Sequence, residues 1–284
     1  MNAHSVTHSD AHPGAARQAL RLPTTVPALL ALDIDGTLLV TGQKIPAATV
    51  RAVRAVVAAG HSVVLATGRS LAGVRPVVRQ LGLRSGAVVC SNGAVIARIC
   101  GRRLIVEQHV TFDPKTVLLR VCGAAPDALL AVEDLERGGW RVSQKFPRGR
   151  LNGPQHRVRW EHDLWDRPTT RAVIHADDAA DLTGELSWCG VTVTAAGADW
   201  LDVNAKNLSK ATGLEQVRLA AGIDKDATIA VGDAANDVPA FEWAATAVAM
   251  GQAHDEVKAA ADMVTGTIDE HGLVSVLHAL AALR

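Results

Sequence analysis

The chain has 284 residues, which is enough for one large domain or two domains of medium size. Its composition, 48% hydrophobic and 20% charged, is typical of a packed globular protein and excludes a chain that is mostly disordered. The 29 basic and 29 acidic residues cancel, so no general electrostatic attraction to nucleic acid or to anionic membranes is expected.

The spacing of the cysteines and the hydropathy of the chain indicate in which cellular compartment to expect the protein. The four cysteines are widely spaced and form no C-x-x-C pair, which favours reduced core residues over disulfides or a zinc site. No apolar run reaches the length of a membrane span, and the first residues lack the basic and apolar regions of a secretory signal. We therefore expect a cytoplasmic protein with neither membrane nor nucleic acid as a partner.

Residues 1–26 are polar, small and interrupted by proline and glycine, with no apolar period, and are predicted to be a disordered tail. His4, His8 and His12 would form a metal-binding stripe if this segment were helical. No other feature of the segment predicts a helix, so the tail is the favoured interpretation.

From Pro27 onward, strands and helices alternate. The first predicted strand, PALLALDID, is followed by a predicted helix over residues 44–60. Pro46 suits the first turn of this helix and Gly60 its end.

The next segments repeat this pattern. HSVVLATGRS predicts a second strand, and residues 70–82 predict a helix that Pro76 should kink or delay. GAVVCSNGAVI predicts a third strand that ends in a turn at residues 91–93.

Residues 95–203 differ in pattern and composition from the segments on either side. They contain short alternating strands, beginning with RLIVEQHV, and helices predicted to start at Asp113 and near Asp177. Five of the six tryptophans lie here, together with the arginine-rich stretch PRGRLNGPQHRVRW, which we interpret as a solvated loop. We predict a smaller α+β domain inserted into the first.

After the insertion, the strand–helix alternation returns. TIAVGDAAND, TAVAM and ADMVT predict short strands, with helices at VPAFEWA and HDEVKAAA between them. Alternation of this kind predicts a parallel sheet covered by helices on both faces. The predicted organisation is therefore a tail (1–26), a core (27–94 and 204–284) and an inserted α+β domain (95–203).

Polar side chains cluster where the core strands end, which is where sheets of this class bind ligands. Asp33 and Asp35 would point to one face and repel each other, so a positive partner is required. Carboxylate oxygens suit Mg²⁺, whereas a hydroxyl, backbone amides and a lysine suit a phosphate. The candidate residues are Asp33, Asp35, Thr67, Gly68, Lys210, Asp233, Asn236 and Asp237. We predict that Mg²⁺ and Lys210 supply the positive charge.

DIDGTLL, ATGRS, the lysine of NLSKATGL and VGDAANDVPAF, in this order, resemble the four motifs of the haloacid dehalogenase superfamily. SNGA and VTVTAAGADWLDVNAKNLSKATGL resemble segments that flank the cap of its Cof-type sugar-phosphatase branch, which carries a class IIB cap. The resemblance implies a Rossmann-like parallel-sheet core with an inserted α+β cap that selects the substrate.

The resemblance also implies roles. Asp33 would be the nucleophile that forms an aspartyl-phosphate, and Asp35 would be the general acid and base, with its backbone carbonyl on Mg²⁺. Thr67 and Gly68 would bind the phosphoryl oxygens, and Lys210 would neutralise charge on the phosphate and on Asp33.

In the last motif, Asp233 would ligate Mg²⁺ directly, while Asn236 and Asp237 would hold the ion and its waters. Lys206 competes with Lys210 for the third motif. We prefer Lys210 because Ser209 is a good N-cap, which places Lys210 in the first turn of a helix that points at the anion.

These residues favour a Mg²⁺-dependent phosphatase of small phosphorylated metabolites, with sugar phosphates as the expected class. A phosphomutase of the same superfamily, similar to phosphomannomutase, would keep the same motifs. A non-catalytic regulator that binds a phosphometabolite is a third interpretation, and the intact acidic residues argue against it. A dinucleotide-binding enzyme is disfavoured because no G-x-G-x-x-G follows the first strand.

Overall fold

Two β-sheets organise the computed structural model, which describes residues 27–283. Its strands are β1 (Leu29–Leu32), β2 (Ser62–Ala66), β3 (Ala87–Cys90), β4 (Val95–Cys100), β5 (Arg103–His109), β6 (Leu129–Asp134), β7 (Gly139–Val142), β8 (Gln155–Arg157), β9 (Ala172–His175), β10 (Val191–Ala195), β11 (Trp200–Ala205), β12 (Thr228–Gly232), β13 (Thr246–Ala249) and β14 (Met263–Val264). Its α-helices are α1 (Ala47–Ala58), α2 (Leu71–Leu81), α3 (Lys115–Ala124), α4 (Thr183–Ser187), α5 (Lys210–Ala221), α6 (Val238–Trp243), α7 (Asp255–Ala259) and α8 (Gly272–Ala281).

The larger sheet has the order β14-β13-β12-β1-β2-β3-β4-β5. It is parallel from β14 to β3, and the β4–β5 hairpin adds two antiparallel strands at one edge. β1 lies in the interior and all four of its residues are buried, as its unbroken apolar sequence predicts. Around this sheet, α1 packs against α8 and α5 packs against α6. The predicted parallel-sheet core is confirmed.

Helix α2 shows how local sequence sets an element that borders the site. The Ser70 side chain accepts a hydrogen bond from the backbone N–H of Gly73, and Gly82 ends the helix in the left-handed conformation (φ 73°). Val74, Val77, Val78 and Leu81 are buried at helical spacing. Pro76 lies on the exposed side, and the helix still begins directly after Ser70, so the predicted delay does not occur.

The smaller sheet has the order β10-β11-β9-β6-β7-β8 and is antiparallel except between β7 and β8. A hydrophobic core of its own joins it to α3 and α4, with Val117, Leu118, Ile174 and Leu201 almost fully buried. This is the inserted α+β cap.

The boundary of the cap differs from the prediction. β4 and β5 extend the core sheet, so residues 95–109 belong to the core and not to the inserted domain that was predicted to start at 95. The sequence of β5, RLIVEQH, mixes apolar and polar residues as the short strands predicted for the inserted domain do, which is why the sequence pattern did not separate them. At the other end, the cap sheet runs through Ala205.

The predicted tail, with its three histidines, lies outside the described residues. Within residues 27–283, no helix combines the length and the hydropathy needed to cross a membrane.

Candidate active site

Lys210 joins two carboxylates at the carboxyl end of β1. Its Nζ atom donates to Asp33 Oδ1 at 2.7 Å and to Asp237 Oδ1 at 2.6 Å. All three side chains are buried, and Lys210 is only 1% exposed. A buried charge without a partner is strongly unfavourable, so this arrangement ties the three residues together.

The fold brings these residues together from distant parts of the chain. β1 and β12 are neighbouring parallel strands. One residue beyond the end of β1, the backbone N–H of Asp33 donates to the Val231 carbonyl at 3.0 Å. Ser209 is the N-cap of α5 and Lys210 its first residue, as predicted. Lys206, by contrast, is exposed in the turn after β11. The geometry therefore favours Lys210 over Lys206.

A second acidic residue, Asp233, completes a carboxylate group that could hold a cation. Oxygens of Asp33, Asp233 and Asp237 lie within 4.8 Å of one another. The approach is close: a Cβ on Gly36 would lie 1.9 Å from Asp233 Oδ2, and Gly36 has a φ of +79°, so only glycine fits in the D-G-T turn.

The three carboxylates are not equivalent. One Asp237 oxygen contacts Lys210, and the other accepts from the backbone N–H groups of Asp233 and Ala234 at 3.0 and 3.1 Å. Asp237 thus positions the loop and the lysine, whereas Asp33 and Asp233 have oxygens to offer a hard divalent cation. The donor set fits Mg²⁺.

Asp35 has a different positive partner from the one predicted. Arg69 donates to both of its oxygens, from Nε and Nη2 at 2.6 Å each, and Thr41 adds a hydroxyl contact at 2.7 Å. The prediction assigned the positive charge to Mg²⁺ and Lys210 alone. A bidentate arginine pair is geometrically specific and holds the Asp35 side chain in one orientation.

The pKa values of these acids reflect burial and charge. Burial raises the pKa of Asp33 well above its usual value, with Asp237 and Asp233 adding to the rise and Lys210 opposing it. Burial and the nearby Asp237 raise the pKa of Asp233 to about 6. Burial alone would lower the pKa of Lys210, but Asp237 and Asp33 outweigh it and raise that pKa, so the lysine stays protonated.

In Asp35 the balance is reversed. Burial acts to raise its pKa, but the hydrogen bonds and charge of Arg69 outweigh burial and lower the pKa below its usual value. The carboxylate is therefore ionised while Arg69 holds it.

These shifts predict a pH-dependent stabilisation by Mg²⁺. The pKa of Asp233 rises from 3.8 to about 6 on folding, so this group favours the folded state below pH 3.8, and that contribution is lost as the pH rises through about 6. A bound cation offsets the repulsion among the ionised carboxylates. We therefore expect Mg²⁺ to raise the melting temperature more at pH 8 than at pH 5, as measured by circular dichroism. Equal shifts at both pH values would contradict a cation site formed by these carboxylates. The control is Asp127→Asn, at an exposed acid of the cap, which should show the same Mg²⁺ shifts as the parent chain.

A cavity of about 430 Å³ opens directly onto these groups. On the core side it is lined by Asp33, Asp35, Thr67, Gly68, Arg69 and Asn236. The cap closes it with Trp140, Trp200, Arg150, Arg171, Asn152 and Asp202. A ligand in the cavity therefore contacts both domains.

The predicted phosphate-binding segment lies where expected. Thr67 is buried, and its hydroxyl accepts from the backbone N–H of Arg69 at 3.1 Å, which shapes the turn after β2. Gly68 faces the amides of Asn92 and Asn236, since a Cβ there would lie 3.1 Å from Asn92 Oδ1 and 3.3 Å from Asn236 Nδ2. Five of the eight predicted residues line the cavity. The other three, Lys210, Asp233 and Asp237, lie close to Asp33.

Buried polar contacts hold the cap against the core. Glu133 of β6 accepts from the Ser91 hydroxyl, the Thr170 hydroxyl and the backbone N–H of Leu71. Arg171 donates to the Gly68 carbonyl and to Asp202 and lies over the Trp140 ring, with 5.3 Å to its centroid. These contacts fix the cap directly above the turn that contains Thr67 and Gly68.

Several site residues were not assigned from the sequence. Arg69 belongs to the ATGRS motif. The need for a positive charge beside Asp33 and Asp35 was the signal that could have identified it. Arg150 was expected in a solvated loop, but it lines the cavity, pairs with Asp199 and lies over Trp200. Arg171 and Glu133 carried no local signal, because each has core partners far away in the chain: Gly68 for Arg171, and Ser91 and Leu71 for Glu133.

A family comparison covers nearly the whole described chain. The profile of the haloacid dehalogenase-like hydrolases matches residues 30–277. This range includes both sheets and every residue of the site described above.

Individual relatives match at low identity but over nearly their whole length. The chain is 25% identical to the phosphatase YwpJ of Bacillus subtilis, covering 88% of this chain and 98% of that protein. It is 28% identical to the 5-amino-6-(5-phospho-D-ribitylamino)uracil phosphatase YcsE of the same organism, covering 88% of this chain and 94% of that protein. Among solved structures, the subclass IIB sugar phosphatase BT4131 superimposes with a TM-score of 0.75 at 24% identity, covering 89% of this chain and 98% of that one, which shows a shared fold.

Proposed function

The chain belongs to the haloacid dehalogenase-like hydrolases, and from this premise we propose that it is a Mg²⁺-dependent phosphatase of small phosphorylated metabolites. One observation carries the proposal. A buried carboxylate, Asp33, lines the cavity between core and cap, with a lysine 2.7 Å away and two further carboxylates close to it. This constellation suits attack on an anionic phosphate, because the positive charge stabilises both nucleophile and phosphoryl group.

In the first proposed step, an oxygen of Asp33 attacks phosphorus and the bond between phosphorus and the ester oxygen breaks. The electron pair of that bond goes to the departing oxygen, which takes a proton from Asp35. The product is an alcohol and an aspartyl-phosphate on Asp33. Such covalent catalysis divides one difficult displacement into two easier ones.

In the second proposed step, Asp35 takes a proton from water and the water oxygen attacks the phosphorus of the aspartyl-phosphate. The bond to Asp33 breaks and inorganic phosphate leaves. One carboxyl can serve both steps because it is protonated after the second and ionised after the first. Arg69 and Thr41 engage both oxygens of Asp35, and Arg69 keeps this carboxyl ionised. The contact with Arg69 must therefore yield, and Asp35 must take up a proton, before the first step.

Asp33, Asp233 and the backbone carbonyl of Asp35 would hold Mg²⁺, with Asn236 and Asp237 supporting them. When bound, the ion supplies positive charge that offsets repulsion between the nucleophile and the phosphate. Lys210 adds a fixed charge, and Thr67 and Gly68 orient the phosphoryl oxygens.

The cap side of the cavity supports a polyol or sugar monophosphate as the substrate class. Trp140 and Trp200 line the cavity together with Arg150, Asn152 and Asp202, so the cap wall combines aromatic and polar groups. Carbohydrate-like ligands combine an apolar ring face with several hydroxyls, so they match such walls. The phosphoribityl substrate in the name of the relative YcsE belongs to the same chemical class.

The test is phosphate release from a panel of sugar, polyol and nucleotide monophosphates. We expect turnover with Mg²⁺, loss of turnover with a chelator and recovery when Mg²⁺ returns, because Asp33 and Asp233 repel an unscreened phosphate. Full turnover in metal-free buffer would contradict the metal assignment. An isomerised phosphosugar without free phosphate would identify a phosphomutase, and binding without any product would identify a regulator.

A further inference from the structure

A second large cavity lies away from the active site. It has a volume of about 650 Å³ and lies between α2, the loop that follows it and the turn of the β4–β5 hairpin. Five arginines line it: Arg75 and Arg79 of α2, Arg84 of the loop, and Arg102 and Arg103 of the hairpin. We call this surface the arginine cleft.

The arginine cleft lies at the edge of the sheet opposite the catalytic residues. Arg84 precedes β3 and so lies near its amino end, whereas Ser91 follows the carboxyl end. A backbone hydrogen bond of 2.9 Å from the Gly101 N–H to the Arg84 carbonyl fixes the hairpin turn against the loop. α2 begins at Leu71, close to Thr67, and Arg75 and Arg79 lie about 6 and 12 Å further along its axis.

No carboxylate neutralises these five charges. No acidic residue lines the cleft, and none of its arginine side chains has an ion pair or side-chain hydrogen bond within residues 27–283. The chain as a whole has zero net charge, so this is a local concentration of positive charge. Residues 1–26 contain one acidic residue and two arginines, so their charge does not complement that of the cleft.

The floor of the cleft is apolar. Val78 and Leu83 are buried beneath the arginines, and Ile105 is 40% exposed at the wall. Guanidinium groups bind phosphates in bidentate fashion, and an apolar surface suits a ring system. The volume is that of a pocket for a small ligand, and the balanced total charge and pI of about 7.2 lack the basic excess of nucleic-acid-binding domains.

We propose that the arginine cleft binds a small polyphosphate that carries an aromatic ring, the chemistry of a nucleoside triphosphate. The phosphates contact guanidinium groups from both α2 and the hairpin, and the ring lies on the apolar floor. This site is separate from the one that hydrolyses the substrate, and the proposal does not depend on the phosphatase assignment.

The test is calorimetric titration of ATP into the full chain at physiological salt, without Mg²⁺. The double variant Arg79→Glu/Arg102→Glu reverses one charge on each wall at exposed positions, so the fold should be retained. We expect ATP affinity to fall at least tenfold, with kcat and KM for a small phosphorylated substrate unchanged. The matched control is Arg157→Glu, at an exposed cap arginine outside both cavities, which should leave ATP affinity unchanged.

Four results would overturn the proposal. ATP affinity could be the same in the double variant, or Arg157→Glu could weaken it equally, which would indicate non-specific attraction. A short DNA duplex could bind the cleft more tightly than ATP, which would indicate a surface for extended polyanions. Tripolyphosphate is the remaining comparison: weaker binding than ATP supports the ring contact with the apolar floor, and equal binding contradicts it.

Discussion

Asp33→Asn is expected to abolish phosphate release, because an amide oxygen is a far weaker nucleophile than a carboxylate. The substitution keeps the size of the side chain and still offers an oxygen to Lys210 at the position now 2.7 Å away. It also removes one of three clustered negative charges, so the fold should be retained. The measurement is phosphate release under saturating Mg²⁺, with circular dichroism to verify the fold.

The matched control is Asp127→Asn, at an exposed acid of the cap that should leave the rate unchanged. More than trace activity in Asp33→Asn would show that another group attacks the phosphorus. Trapping the phosphoryl group on the parent chain, and its absence from Asp33→Asn, would locate the covalent step independently.

Lys210→Met is expected to lower kcat/KM by about a hundred- to a thousandfold, the usual effect of losing one preorganised charge at a developing oxyanion. Methionine keeps the apolar stem but leaves Asp33 and Asp237 buried without their shared cation. The variant should therefore also melt at a lower temperature than the parent. Rates are compared at a temperature where circular dichroism shows both proteins folded.

Lys206→Met is the matched control, because Lys206 lies four residues earlier and is exposed. We expect little change in kcat/KM and in melting temperature. A large loss of kcat/KM in Lys206→Met, together with a nearly unchanged kcat/KM in Lys210→Met, would show that the third motif is misassigned by four residues.

Much of the site could be predicted from the sequence because each part is encoded locally. Asp33 and Asp233 each follow a short apolar strand, and parallel strands end at the same edge of their sheet. Ser209 signals the start of the helix whose first residue is Lys210. Strand ends and the N-cap therefore predict that Asp33, Lys210 and the loop that contains Asp233 lie together.

The remainder depends on tertiary contacts that no local pattern encodes. Many arginines and lysines could pair with Asp35, and no local pattern indicates that Arg69 does so. Glu133 reaches Ser91 only when the cap folds onto the core. The start of the cap at residue 95 was misplaced for a similar reason. The strands of this edge hairpin and the short strands of the cap look alike in sequence, and only strand pairing separates them.

The pairing of β1 with β12 also governs how the protein must be assembled. Asp33 and Lys210 are separated by 177 residues, and β1 has β12 as a neighbour only when the chain is present through Gly232. Until then, an apolar strand has one unpaired edge, which other chains can join. Such long-range pairing folds slowly. A fragment that ends before Thr228 would therefore leave one edge of β1 open to self-association. We expect such a fragment to aggregate more readily than the full chain.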